Sequence, residues 1–162
     1  MVAQAVKVAV ITNVIIFLVF SYLGATLEHL SYYASKKSSK LLANPIITGF
    51  PLYGLGAFAV VATNKLLNPI TKNIVLHSLA YGAVLSALEL GAGVVVGAGP
   101  TSRNATGEIS SWDYSNQHLN YRGIISLESF VKWALLGNVV VLMYNYLQRQ
   151  LTCGLTHCLS EK

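Results

Sequence analysis

Charge is what this chain has least of. Only 10% of its 162 residues are Asp, Glu, Lys or Arg, while 54% are hydrophobic and the mean hydropathy is +0.55. Soluble domains carry about a quarter charged residues, so this composition excludes an ordinary water-soluble globule. Cysteine is almost as scarce. Cys153 and Cys158 both lie in the C-terminal tail, so no disulfide framework is implied. With His157 they form "CGLTHC", a cluster too small to complete a four-ligand zinc site; free thiols or juxtamembrane acylation fit it better. No metal or cofactor is expected. Catalytic signatures are missing too: there is no Gly-x-Ser-x-Gly or Ser-His arrangement, and His118 and Asp113 share a loop without a nucleophile. "GAGVVVGAG" lacks the spacing and the following Lys-Ser/Thr of a phosphate loop, which makes it packing glycine. No enzyme is expected. No charged block or low-complexity tail marks a second domain, so 1–162 reads as a single transmembrane domain.

What the chain does have is long apolar runs. Four approach the roughly 20 residues needed to cross a bilayer, at about 6–30, 45–67, 74–98 and 124–147. The first run is too long for a typical secretory signal core, so a retained anchor is expected. Short connections, "SYYASKKSSK" and "NKLLNPITKN", imply antiparallel neighbours. The expected fold is therefore all-α: a polytopic integral membrane protein, a four-transmembrane-helix bundle with one aromatic-rich loop at 99–123. The surplus of Lys and Arg, net +5, sits at the edges of these runs, where membrane proteins keep cations. A lipid bilayer, not nucleic acid, is the partner this predicts. The positive-inside count is tied, five against five, so orientation stays open. The sequon at Asn104 would be glycosylated only if its loop faced a lumen or the exterior.

Three carboxylates, Glu28, Glu89 and Glu128, fall within or at the ends of spans. An ionised acid in lipid is costly, so such groups face the protein interior and have partners. Spacing supports this. Asn13, Phe17, Ser21, Gly24 and Glu28 share one helical face, as do Ser78, Gly82, Ser86, Glu89 and Gly93. Small residues ending in an acid are the pattern that lets helix backbones approach and hydrogen-bond. In the second run Gly49, Tyr53 and Gly56 share a face, close to Pro51. In the fourth, Glu128 and Lys132 are four apart, a favourable ion-pair spacing. Two readings of the acids stay open: an ion or proton path through Glu28, Glu89 and His77, or carboxylates that hold helices together.

The loop ends in "SSWDYSNQHLNYRGIISLESFVKW", 110–133. Its Trp and Tyr side chains suit the headgroup level, and Asp113, Ser115 and Asn116 are expected to satisfy one another and cap the fourth helix. A folded lid over the helix ends is the expected role. Trp112, Asp113, Tyr114, Ser115, Asn120, Gly123 and Trp133 here match the pattern of the ABC-transporter type IV family, which this sequence resembles along almost its whole length. "SYLGATLEHL", "FPLYGLGAF" and "GAVLSALELGAG" look like that family's other helices, in the same order. The chain departs from the pattern at Ile124, at Ala134 and in the Glu128/Lys132 pair. The resemblance implies a small multi-pass membrane protein, and the family name implies transport.

The function expected from this reading is a non-catalytic subunit that anchors or spaces a larger membrane-associated assembly, with other protein subunits as partners. A viral membrane-capsid layer (virion) and an organellar complex are examples. The alternative is a small permease-like or ion-coupled transport component with Glu89 as the carrier acid.

Overall fold

The computed structural model describes residues 2–34, 46–100 and 112–160. Among them the chain is all-α, with α1 (Val2–Ala34), α2 (Ile46–Leu67), α3 (Ile74–Val96) and α4 (Leu127–Ser160). The one strand-like feature among the described residues is an isolated bridge between Tyr121 and Ile125. The sequon at Asn104 lies outside the described residues.

Helix ends explain where these bounds differ from the apolar runs. Asn73 is extended, and its side-chain oxygen accepts from the backbone N–H groups of Val75 and Leu76 at 2.9 and 3.4 Å, which starts α3. Gly97 is left-handed, at φ 69°, and its N–H returns to Gly93 O. That cap stops α3 at Val96, short of the expected 98. Similarly, α4 opens at Leu127 and not at 124, because Tyr121 N–H donates to Ile125 O at 2.8 Å and holds the preceding residues in a turn. Ser126 then caps the helix. Its Oγ accepts from Ser129 N–H, and its own N–H donates to Ser129 Oγ, both at 3.0 Å. The expectation that Asp113, Ser115 and Asn116 cap α4 is thereby corrected. Asp113 Oδ1 is occupied by Ser115 N–H and Oγ at 2.9 and 2.7 Å, a local Asx turn. α1 and α4 outrun their apolar runs because a helix propagates by backbone bonding, whereas apolarity marks only the part that suits lipid.

Among the described residues three helices are long and apolar enough to cross a membrane: Gln4–Glu28, Ile74–Val96 and Leu127–Cys158, with mean hydropathy 2.2, 1.8 and 1.3. Their outward faces are aliphatic. Val6, Val10, Val14 and Leu18 are exposed along α1, and Leu127, Val131, Leu135, Val139 and Leu142 along α4. A soluble protein rarely exposes such continuous apolar stripes, whereas acyl chains match them. The chain is a membrane protein.

It divides into two compact units, one formed by 1–58 with 140–162 and the other by 59–139. In the first, the small-residue stripe of α1 meets α2. The Tyr53 ring occupies the space a side chain on Gly24 would need, and Ser21 Oγ and the Phe17 ring do the same for Gly54. Phe17, Phe58 and Tyr144 form a chain of rings, with centroids 6.2 and 5.9 Å apart, the second pair edge-on. Tyr144 Oη donates to Asn13 Oδ1 at 3.2 Å, and Ile16 and Phe20 complete the core.

The second unit is built on the matching stripe of α3, where Gly82, Ser86, Glu89 and Gly93 are buried with His77 and Tyr81. A side chain on Gly82 would meet the Phe130 ring at 3.0 Å and Ala134 at 3.1 Å, so the glycine sets the α3–α4 approach. Asn138 Nδ2 donates to Ser78 Oγ at 2.8 Å across the same contact.

Candidate functional site

Segment 112–126 is short, polar and tightly folded on itself. Tyr114 N–H donates to Gly123 O at 2.7 Å, and Gly99 N–H donates to Trp112 O at 3.0 Å. Asn120 ties the turn from inside: its Nδ2 donates to Ser115 O and Gln117 O at 3.1 and 3.0 Å, and its Oδ1 accepts from Gly123 N–H at 3.1 Å. Gly123 is left-handed, at φ 65°, and a side chain there would strike Asp113 Oδ1 and Pro100, each 2.8 Å away. Asn and Gly are therefore required by the turn itself. Gln117 Oε1 accepts from Ser126 Oγ, which joins the turn to the cap of α4.

The folded turn presents two aromatic side chains to α3. Trp112 packs over Gly93, and its Nε1 donates to Ile124 O at 2.9 Å; Ile124 itself fills the rest of the space a side chain on Gly93 would take. Tyr114 reaches the acid. Its Oη donates to Glu89 Oε1 at 2.8 Å, while Trp133 Nε1, from α4, donates to Oε2 at 2.9 Å. Glu89 is only 6% exposed, so this is a buried carboxylate with an aromatic donor on each oxygen. An indole N–H can only donate, so Oε2 is an acceptor in every protonation state. The three sequence-selected residues Tyr114, Trp133 and Glu89 thus meet at one point, 19 and 44 positions apart along the chain from Trp133 to the other two.

The other acids differ. Glu28, half-buried, accepts from Tyr53 Oη at 2.7 Å within the first unit. Glu128 sits at the start of α4, where its Oε1 accepts from His118 Nδ1 at 3.0 Å. The expected Glu128/Lys132 ion pair is corrected on this point: His118 is the close partner and Lys132 acts only at longer range. The reason is the turn, which carries His118 back over α4 and bonds its carbonyl oxygen to Leu127 N–H at 3.3 Å. His118 is 88% exposed and Glu128 43%, so water screens the contact.

His77 belongs to a second polar cluster that the spacing did not assemble. Its Nε2 lies 3.0 Å from Thr71 O, and its Nδ1 lies 3.0 Å from Tyr81 Oη and 3.2 Å from Asn64 Oδ1. Tyr81 Oη also donates to Asn64 Oδ1 at 2.8 Å. His77 therefore lies against α2 through one ring nitrogen and against the α2–α3 turn through the other. Its contacts do not include Glu89. Among the described residues no group of three or more His, Cys, Asp or Glu could hold a metal ion, and Cys153 and Cys158 are exposed free thiols.

Comparison with known families gives a match over most of the chain. The family model described as "Putative ABC-transporter type IV" matches residues 15–159. The chain belongs to that family. The matched region takes in all of α2 and α3, the aromatic turn and nearly all of α4, so the Glu89 cluster is built wholly from residues that the family model covers. No curated protein and no solved structure gives a match.

Proposed function

We propose that this ABC-transporter type IV family member is a non-catalytic membrane subunit that anchors or spaces a larger membrane assembly. In this reading α2 is a fourth crossing, and 1–162 forms one transmembrane domain. At 1.5 Å per residue the 22 residues of α2 reach roughly 33 Å, enough for the hydrocarbon layer. The observation that carries the proposal is the state of Glu89. Both its oxygens are engaged by aromatic donors from two other segments, which makes it a tie between α3, the turn and α4. A carrier acid must exchange its partners during each cycle, whereas a tie keeps them. The family name makes transport machinery the favoured setting for the assembly, ahead of a viral layer.

The rival reading, a small ion-coupled permease, is supported by the same family name and by the burial of Glu89 between helices. Cross-linking in native membranes followed by mass spectrometry separates the two. The subunit reading expects the exposed faces of α1 and α4 to cross-link to other protein chains. Cross-links confined to this chain, together with ion flux from the purified protein in liposomes, would favour the permease.

A further inference from the structure

The turn that engages Glu89 has two faces. Trp112 and Tyr114 point inward, onto Gly93 and Glu89, and so leave the headgroup role expected of the loop's aromatics to its tip. The tip, 118–122, faces out. His118, Leu119, Tyr121 and Arg122 are all exposed, Leu119 to 81%. The fold fixes this display. His118 O accepts from Leu127 N–H at 3.3 Å, Tyr121 O accepts from Ile124 N–H at 3.0 Å, and Asn120 ties the tip from inside. Leu119 and Arg122 are left-handed, at φ 48° and 56°, a backbone that residues with a Cβ rarely adopt. The tip thus holds a leucine where neither the backbone nor water favours one. Only a contact outside the chain gives that side chain something to gain.

The position of the tip says which contact. The apolar stretch Ile74–Val96 ends just before this turn and Leu127–Cys158 begins just after it, so the tip lies where hydrocarbon gives way to headgroups. It is also continuous with a lipid-facing surface. The His118 bond seats the tip on Leu127, the first residue of the exposed aliphatic stripe of α4, and Val94 and Val95 are exposed at the end of α3. Arg122 adds a charge of the right sign. Its guanidinium stands 5.5 Å from the centre of the Tyr121 ring and meets no carboxylate among the described residues. A cation held over a ring keeps its N–H edge for phosphate. We propose that the tip is a phospholipid anchor, with Leu119 among the uppermost acyl carbons and Arg122 on a headgroup phosphate. A soluble protein partner would need the tip to stand clear of the leaflet, whereas the bond to Leu127 keeps it at the leaflet surface.

The test places a nitroxide on the tip of the full chain in vesicles of phosphatidylcholine and phosphatidylglycerol, using Leu119→Cys together with Cys153→Ser and Cys158→Ser. Power saturation compares collisions with oxygen, which concentrates in lipid, and with a water-soluble nickel chelate. The oxygen-to-nickel ratio at 119 should be about fivefold above that of a label at Asn116→Cys, an exposed polar position of the same turn. Equal ratios would put the tip in water, open to a protein partner, and overturn the proposal. A label at Tyr121→Cys keeps the native leucine. Adding Leu119→Asn there should raise nickel access about twofold, and no change would overturn the role given to Leu119. Arg122→Gln should lower the ratio at 119 about twofold, while Arg122→Lys keeps most of it because either cation meets phosphate. An unchanged ratio for Arg122→Gln would overturn the phosphate contact. Matching thermal midpoints separate a displaced tip from a misfolded turn.

Discussion

Among single residues, Glu89 has the largest leverage in the second unit. Replacing it with alanine removes a carboxylate that accepts from Tyr114 Oη and Trp133 Nε1, two part-buried contacts. Each lost acceptor costs about 1–3 kcal/mol, so Glu89→Ala should destabilise the fold by about 2–4 kcal/mol, read from thermal unfolding in detergent. Trp133→Phe, which removes one donor and leaves the ring, should cost about half as much. Gly93→Ala acts from the other side of the same contact. Its new methyl would collide with Ile124 and crowd Trp112, so the turn should lift away and Trp112 fluorescence should shift to the red. An unshifted spectrum would mean that Trp112 is not seated on Gly93. The acids and aromatics were legible in the sequence as residue types out of place in lipid. Their pairing was not, because Tyr114 reaches Glu89 only after Asn120 and Gly123 have folded the intervening turn. The Glu128/Lys132 spacing misled for the same reason, since helical periodicity says nothing about a loop histidine arriving from outside.

At the level of the elements, four helices and their buried stripes were readable from periodicity, because small residues at three- and four-residue steps mark where backbones meet. Their ends were less readable. The cap of α4 is a Ser126/Ser129 pair lying inside what reads as an apolar run, downstream of a more polar turn with capping residues of its own. Ser126→Ala should cost about 1 kcal/mol and speed amide exchange in the first turn of α4, which hydrogen-exchange mass spectrometry over residues 127–130 would detect. His118→Ala removes a screened surface contact and should leave the unfolding midpoint unchanged within error. The α2–α3 connection behaves differently. His77 sits between α2 and the turn, within hydrogen-bond distance of both, so His77→Ala should loosen that hairpin while leaving the Glu89 cluster in place.

For the whole molecule, the proposed fourth crossing has a topological consequence. Four crossings put the N-terminus and the exposed Cys153 and Cys158 on one side of the bilayer, and three put them on opposite sides. An impermeant maleimide on sealed vesicles, read against an N-terminal epitope tag, is expected to find them on the same side. Exposed aliphatic stripes on α1 and α4 offer surface to lipid and to a neighbouring chain alike.

The measurement that bears most directly on that role is proton flux in sealed proteoliposomes containing the purified chain or its Glu89→Gln variant, followed with an internal pH dye. If Glu89 is a structural tie, both proteins should leave flux at the level of empty liposomes, and the variant should differ only in its thermal midpoint. Flux in the parent protein that Glu89→Gln abolishes, with the fold intact, would contradict the account and make this carboxylate a carrier.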